Sequence, residues 1–181
     1  MVPRHENQTQ TGDARLRRLA ASIDSLAEKD ALVLERAREI ASVRRTAAAD
    51  LHAICADFVG SVNRLLARMV VVLDPPGYSA GSFQEDLVNL MQINVQGRIL
   101  QVSFSATAEL VSTEDFRVPY TLEGTVHAFN QELLEKDIIE EQLIFYTLEN
   151  HKKMWRFFDA RTYRSGPFDQ EYLIGLMEQL L

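Results

Sequence analysis

The sequence predicts an α+β protein: a long N-terminal heptad-patterned helix, then a meandering antiparallel sheet of about five strands, with a C-terminal helix packed on it. Three observations carry this. Residues 19–45 contain no glycine and no proline, and leucine or isoleucine returns at spacings of three and four. From Met91 onward the apolar period falls to two, the spacing of a half-buried strand. At the end, Tyr172, Leu173, Leu176, Met177 and Leu180 share one helical face.

The first helix is expected over residues 13–73 as an arm, with residues 1–12 a disordered polar tail and residues 74–181 a separate head. Asp13 after Thr11-Gly12 is the expected N-cap, and Asp74-Pro75-Pro76-Gly77 is a stop. With Leu16 at heptad position a, Ile23, Leu51 and Phe58 also fall at a. Leu19, Leu26, Val33, Ile40 and Ile54 fall at d. These eight residues other than Leu16 are the expected oligomerisation seam. The e positions (Ala20, Ala27, Leu34, Ala41, Ala48, Cys55, Val62) carry no charge, so the apolar stripe is three residues wide per heptad, broader than an isolated two-stranded parallel coil uses and suited to a bundle or to a helix that also packs on its own head. An antiparallel homodimer centred near Val43 satisfies two patterns at once. It sets Lys29 and Arg36 against Asp57 and Asp50, and Leu26 and Val33 against Phe58 and Leu51. The competing reading is a hairpin: Asp30 and Arg44 occupy core positions, and Asp30 or Thr46 would N-cap a new helix after a break.

In the head, SFQEDLV reads as a helical turn capped by Ser82 with Glu85 completing a capping box. Met91, Ile93 and Val95, a Gln96-Gly97 turn, and Leu100, Val102 and Phe104 form a hairpin. Residues 111–116 read as a turn. A third strand carries Val118 to Val126, with Gly124 as a bulge position. Residues 131–137 read as a helical turn. Residues 141–149 and 153–161 form a second hairpin around Asn150-His151, RSGPFD (164–169) is a loop, and Asp169 N-caps the last helix. The element order in residues 46–181 is similar to that of small acidic dimeric secretion chaperones of bacteria, a likeness of order that implies a partner-binding role.

Net charge is −7, distributed unevenly. Residues 1–73 carry eleven Lys/Arg against nine Asp/Glu, and residues 74–181 carry eight against seventeen. An acidic head opposes nucleic-acid binding, which needs a basic surface. The arginines of the arm are interleaved with acids, as on a solvated helix face. The longest apolar run, LLARMVVVL (65–73), is too short to span a bilayer, and the polar start MVPRHENQTQTGDAR is unlike a secretory signal. The single Cys55 forms no internal disulfide, so a cytoplasmic setting is the expectation.

No catalytic motif appears. His5, His52, His127 and His151 have no metal-ligand spacing, the eight glycines form no phosphate loop, and neither metal nor cofactor is expected. His52 at heptad b is expected to face solvent. His127 with Glu123, and the Asp159/Arg161 pair, are the residues an enzyme reading would use. WRFFDARTYRSGPFD (155–169) mixes aromatics with arginines, and Trp155, Phe157, Arg161, Tyr163 and Arg164 are the candidate partner-binding residues. The expectation is a non-catalytic interaction or adaptor protein that dimerises through its arm and presents an acidic head to a protein partner. The alternative is a sensor or small-molecule-binding domain with an apolar pocket between sheet and helices.

Overall fold

The computed structural model describes residues 6–68, 70–113, 117–130, 137–149 and 152–181. The chain divides into two compact units, residues up to Ala41 and Ser42–Leu181. Helix α1 (Glu6–Leu65) is continuous in residue range and enters both units. No proline lies between Pro3 and Pro75, so nothing in that range lacks the N–H an interior helical turn needs. The helix starts before the expected Asp13 and takes in Gly12, a residue that costs about 0.5–1 kcal/mol in a helix interior.

The second unit is α+β. Its segment of α1 is followed by β1 (Val71–Asp74), a 3-10 turn (Ala80–Ser82), β2 (Asn89–Val95) and β3 (Arg98–Val111). Then come β4 (Tyr120–Asn130), β5 (Asp137–Glu149), β6 (Lys152–Asp159), β7 (Arg164–Pro167) and α2 (Gln170–Leu180). All neighbours are antiparallel, and the order in the sheet is the order in the chain, β1 to β7. Among the described residues seven strands stand in place of the expected five or so. Val70-Val71-Val72 closes the apolar run assigned to the arm, and β-branched residues favour the extended chain. The stretch taken as a loop, Arg164–Pro167, pairs with β6 over four residues.

One sheet face is the core. Met91, Ile93, Leu100, Val102, Phe104, Leu122, Val126, Ile144, Tyr146 and Trp155 face α1 and α2. From α1 the buried positions are 44, 47, 48, 51, 52, 55, 58 and 59, which follow a 3.6-residue period rather than a strict heptad. That drift brings b-position His52 inside. Its Nε2 lies 2.8 Å from the Pro75 carbonyl oxygen and its ring stacks on Tyr78, so the expected solvent-facing histidine is a buried one. Helix α2 contributes Leu173, Leu176, Met177 and Leu180, each worth about 1.5–3 kcal/mol on burial. Its N-cap is Asp169, whose carboxylate accepts from the Tyr172 N–H at 3.0 Å.

The Gln96-Gly97 turn stands as expected. Both residues are in the left-handed region (φ 51° and 87°), and Asn94 Oδ1 accepts from the Gly97 N–H at 2.9 Å. The cap of the 3-10 turn is Ser79 rather than Ser82, which closes the turn from its third position. Gly124 is not the bulged residue; the register shifts fall on either side of it. A Cβ there would sit 2.1 Å from the Ser103 carbonyl oxygen, so glycine permits the close approach of β3 and β4. The helical turn expected over 131–137 and the Asn150-His151 turn lie outside the described residues except for Asp137, which begins β5.

Candidate interaction surfaces

In the first unit, Leu16, Leu19, Ile23, Leu26, Leu32, Val33 and Leu34 are each 57–67% exposed. Ile40 is half-buried. These are large aliphatic side chains at helical spacing, in water. Leu51 and Phe58, expected on the same seam, are 0% and 2% exposed inside the core of the second unit, and Ile54 packs against that core. The antiparallel register centred near Val43 is therefore corrected: Phe58 and Leu51 are already enclosed by the sheet and α2 and cannot meet Leu26 and Val33 of another chain.

The aromatic and arginine cluster is divided in the same way. Trp155 is 2% exposed and is corrected from surface anchor to core residue. Its indole N–H donates to the Ala47 carbonyl at 2.7 Å, and its ring meets Phe104 and Tyr146 edge-on. Phe157 is half-buried, stacked on Tyr172 of α2 with centroids 4.3 Å apart, and its ring lies over Gly166. The Tyr172 hydroxyl donates to Gln142 Oε1 at 2.6 Å, and burial pushes its ionisation upward. Arg161, Tyr163 and Arg164 are exposed at the β6–β7 hairpin. Tyr163 holds φ 54° there. Asp159 organises that turn, accepting from the Arg161 N–H at 2.9 Å and the Thr162 hydroxyl at 2.8 Å. These bonds, Thr162 first, hold its carboxyl below the ordinary carboxylate range.

The sheet face opposite the core is mixed among the described residues. Gln92 bonds Gln101 at 2.9 Å, Ser103 bonds Thr125 at 3.0 Å, and Val72 and Leu90 are exposed. Tyr120, Phe145 and Phe158 form a second small cluster at one end of it. A shallow depression of about 390 Å³ opens over Val88, Ser105, Glu123, Thr125 and Leu143. Both sheet edges are short. At β1, the Asn63 side chain donates to the Val71 carbonyl at 2.8 Å and accepts from the Val71 N–H at 3.3 Å, occupying the groups an added strand would use. At β7 the edge ends in Pro167, which has no N–H.

Glu123 and His127 lie four residues apart on β4, roughly 13 Å along a strand, and His127 rests beside Phe129. Asp159 and Arg161 serve the hairpin turn. Cys55 is buried and its thiol is pushed up to about 12 by desolvation, the opposite of an activated nucleophile. Among the described residues no group of three or more His, Cys, Asp or Glu side chains is placed to hold a metal, and no helix is long and apolar enough to cross a membrane. His5 and His151 lie outside the described residues. The space between α2 and the sheet, where the alternative reading puts a ligand pocket, holds Leu173 and Leu176 in the core cluster. An apolar groove of about 220 Å³ lies instead among Phe58, Val62, Val71, Val95, Ile174 and Met177.

The buried Arg44 was legible only as an anomaly, a charge at a core position. Its guanidinium donates to the Thr121 hydroxyl at 2.8 Å and carbonyl at 3.2 Å, to the Thr107 carbonyl, and to Glu85. Glu85 is thus an ion-pair partner and not part of a capping box. Comparison with protein-family models, with curated proteins and with solved structures finds no match.

Proposed function

We propose that this is a non-catalytic interaction protein: residues 12–40 of α1 assemble copies of the chain, and the acidic second unit offers a protein partner the sheet face opposite its core and the β6–β7 hairpin. The observation that carries the first half is the row of exposed aliphatic side chains on α1. Leu19, Ile23, Leu26 and Val33 each gain about 1.5–3 kcal/mol when buried, and a second copy doubles the sum. That upper bound of roughly 12–24 kcal/mol is of the size needed to offset an association cost of roughly 4–15 kcal/mol. A patch of this kind marks an interface. The second half is supported by the blunted edges, the acidic balance of residues 74–181 and the exposed Arg161, Tyr163 and Arg164. A cytoplasmic setting belongs to the same reading, since the one cysteine requires no oxidising compartment.

Light scattering on a size-exclusion column tests assembly with the full chain and a Leu19→Glu/Leu26→Glu variant. The parent is expected at the mass of a dimer and the variant at that of a monomer, with the second unit unfolding at the same urea concentration in both. A monomeric parent overturns the proposal. A second reading, capture of a small apolar ligand, is favoured by the groove beside Phe58 and Met177. It ranks below the first because about 220 Å³ is smaller than an ordinary ligand pocket, roughly 300–1,000 Å³.

A further inference from the structure

We infer that the arms of two copies pair parallel and in register over residues 16–40. This rests on the assembly reading and adds its geometry. The acids that would have supported an antiparallel pairing, Asp50 and Asp57, flank positions Leu51 and Phe58, and those are closed inside the core of their own chain. What remains open to a partner is the stripe from Leu16 to Leu34, with Ile40 half-buried at its end, and its charges point the other way.

On that stretch the g positions are Arg15, Ser22, Lys29 and Arg36, and the e positions are Ala20, Ala27 and Leu34. Antiparallel helices set g against g. The register that overlaps residues 16–40 in full places Lys29 against Lys29 and Arg36 against Ser22, one like-charge pair and no attractive one. Parallel helices set g against e. The aliphatic stems of Arg15 and Arg36 then lie over alanines while their charged ends reach water.

Asp30 fits the same arrangement. In a parallel pair each a-position side chain enters a hole formed by two d residues, an a residue and the preceding g residue of the facing helix. For Asp30 that g residue is Lys29 of the partner subunit, so each carboxylate meets an ammonium, twice by symmetry. An antiparallel pair in full overlap places Asp30 against Leu26 instead, where a carboxylate has no partner.

The test uses the full chain with one added cysteine, Ile23→Cys or Val33→Cys, under mild oxidation with copper phenanthroline, read on a non-reducing gel. Cys55 is buried with its thiol pushed up to about 12, so the background is silent. Parallel in-register pairing brings residue 23 to residue 23 and residue 33 to residue 33. Each variant alone is expected to give more than half its chains as a covalent dimer, and the unsubstituted chain none. If neither variant links to itself and only their mixture does, pairing is antiparallel and the inference is overturned while assembly stands. A dimer by light scattering with no link in any of the three samples also overturns it, since residues 23 and 33 are then not at the seam. A monomer by light scattering overturns both.

Discussion

Arg44 sets the terms for every neighbour it touches, because desolvating a guanidinium costs several kcal/mol unless its donors are met. Here they are met by three different segments: the β3 carbonyl of Thr107, the β4 hydroxyl and carbonyl of Thr121, and the Glu85 carboxylate. Thr107 then donates its own hydroxyl to the Thr121 carbonyl at 3.1 Å. The planar fork is what lets one side chain reach all three. Arg44→Ala is expected to lower the unfolding free energy by roughly 3 kcal/mol in urea titration, since the Thr107 and Thr121 carbonyls and Glu85 lose their donor together. Arg44→Lys should recover only part of that, because an ammonium lacks the fork. A loss below 1 kcal/mol for Arg44→Ala would show that the network is not needed. Cys55 supplies a pH dependence of known sign. Its thiol is neutral in the fold up to about 12 against an ordinary 9.0, so its contribution is fully present below pH 9 and is lost as pH rises from there toward 12. Cys55→Ser should flatten that alkaline decline, and iodoacetamide at pH 8 should leave the native thiol unlabelled.

At the level of elements, the edge strand β1 shows how the helix protects the sheet. Asn63, two residues from the end of α1, makes two bonds to Val71 in the manner of a neighbouring strand, and His52 takes the Pro75 carbonyl just beyond β1. Asn63→Leu is expected to cost about 1–2 kcal/mol, the worth of two modest bonds with one partner left unsatisfied. It also reopens an edge, so the variant should aggregate faster on heating than the parent. Equal aggregation rates would show that the short strand alone is deterrent enough. The elements legible in the sequence are those with local rules: alternation in β2, β3, β5 and β6, the Gln96-Gly97 turn, and the Asp169 cap. The others depend on distant partners. The valines of β1 continue an apolar run that also fits a helix end, and β7 has four residues with no alternation to read. The same limit explains the site residues. Trp155 resembles an interface anchor in sequence, and only the fold reveals that its N–H reaches an α1 carbonyl 108 positions earlier.

For the whole molecule, the consequence is where the folded unit begins. The sequence places a boundary at residue 74, after the arm. The structure places it at Ser42, because α1 supplies one wall of the core. Leu51, Phe58 and Val59 alone carry about 1.5–3 kcal/mol each of burial, which rivals the 5–15 kcal/mol by which a domain of this size is stable. Ala47 adds the acceptor for Trp155, and Asn63 adds the pin on β1. Residues 42–181 are therefore expected to unfold cooperatively, with the blue-shifted emission of a buried indole, and to run as a monomer on a sizing column. Residues 74–181 should lack both the transition and the blue shift, since the sheet face would lie open and Trp155 would be wet. The sole tryptophan makes the readout unambiguous. If the shorter fragment folds, the helix is an accessory to the sheet rather than its wall, and Leu51 and Phe58 return to the pool of residues free to pair with another chain.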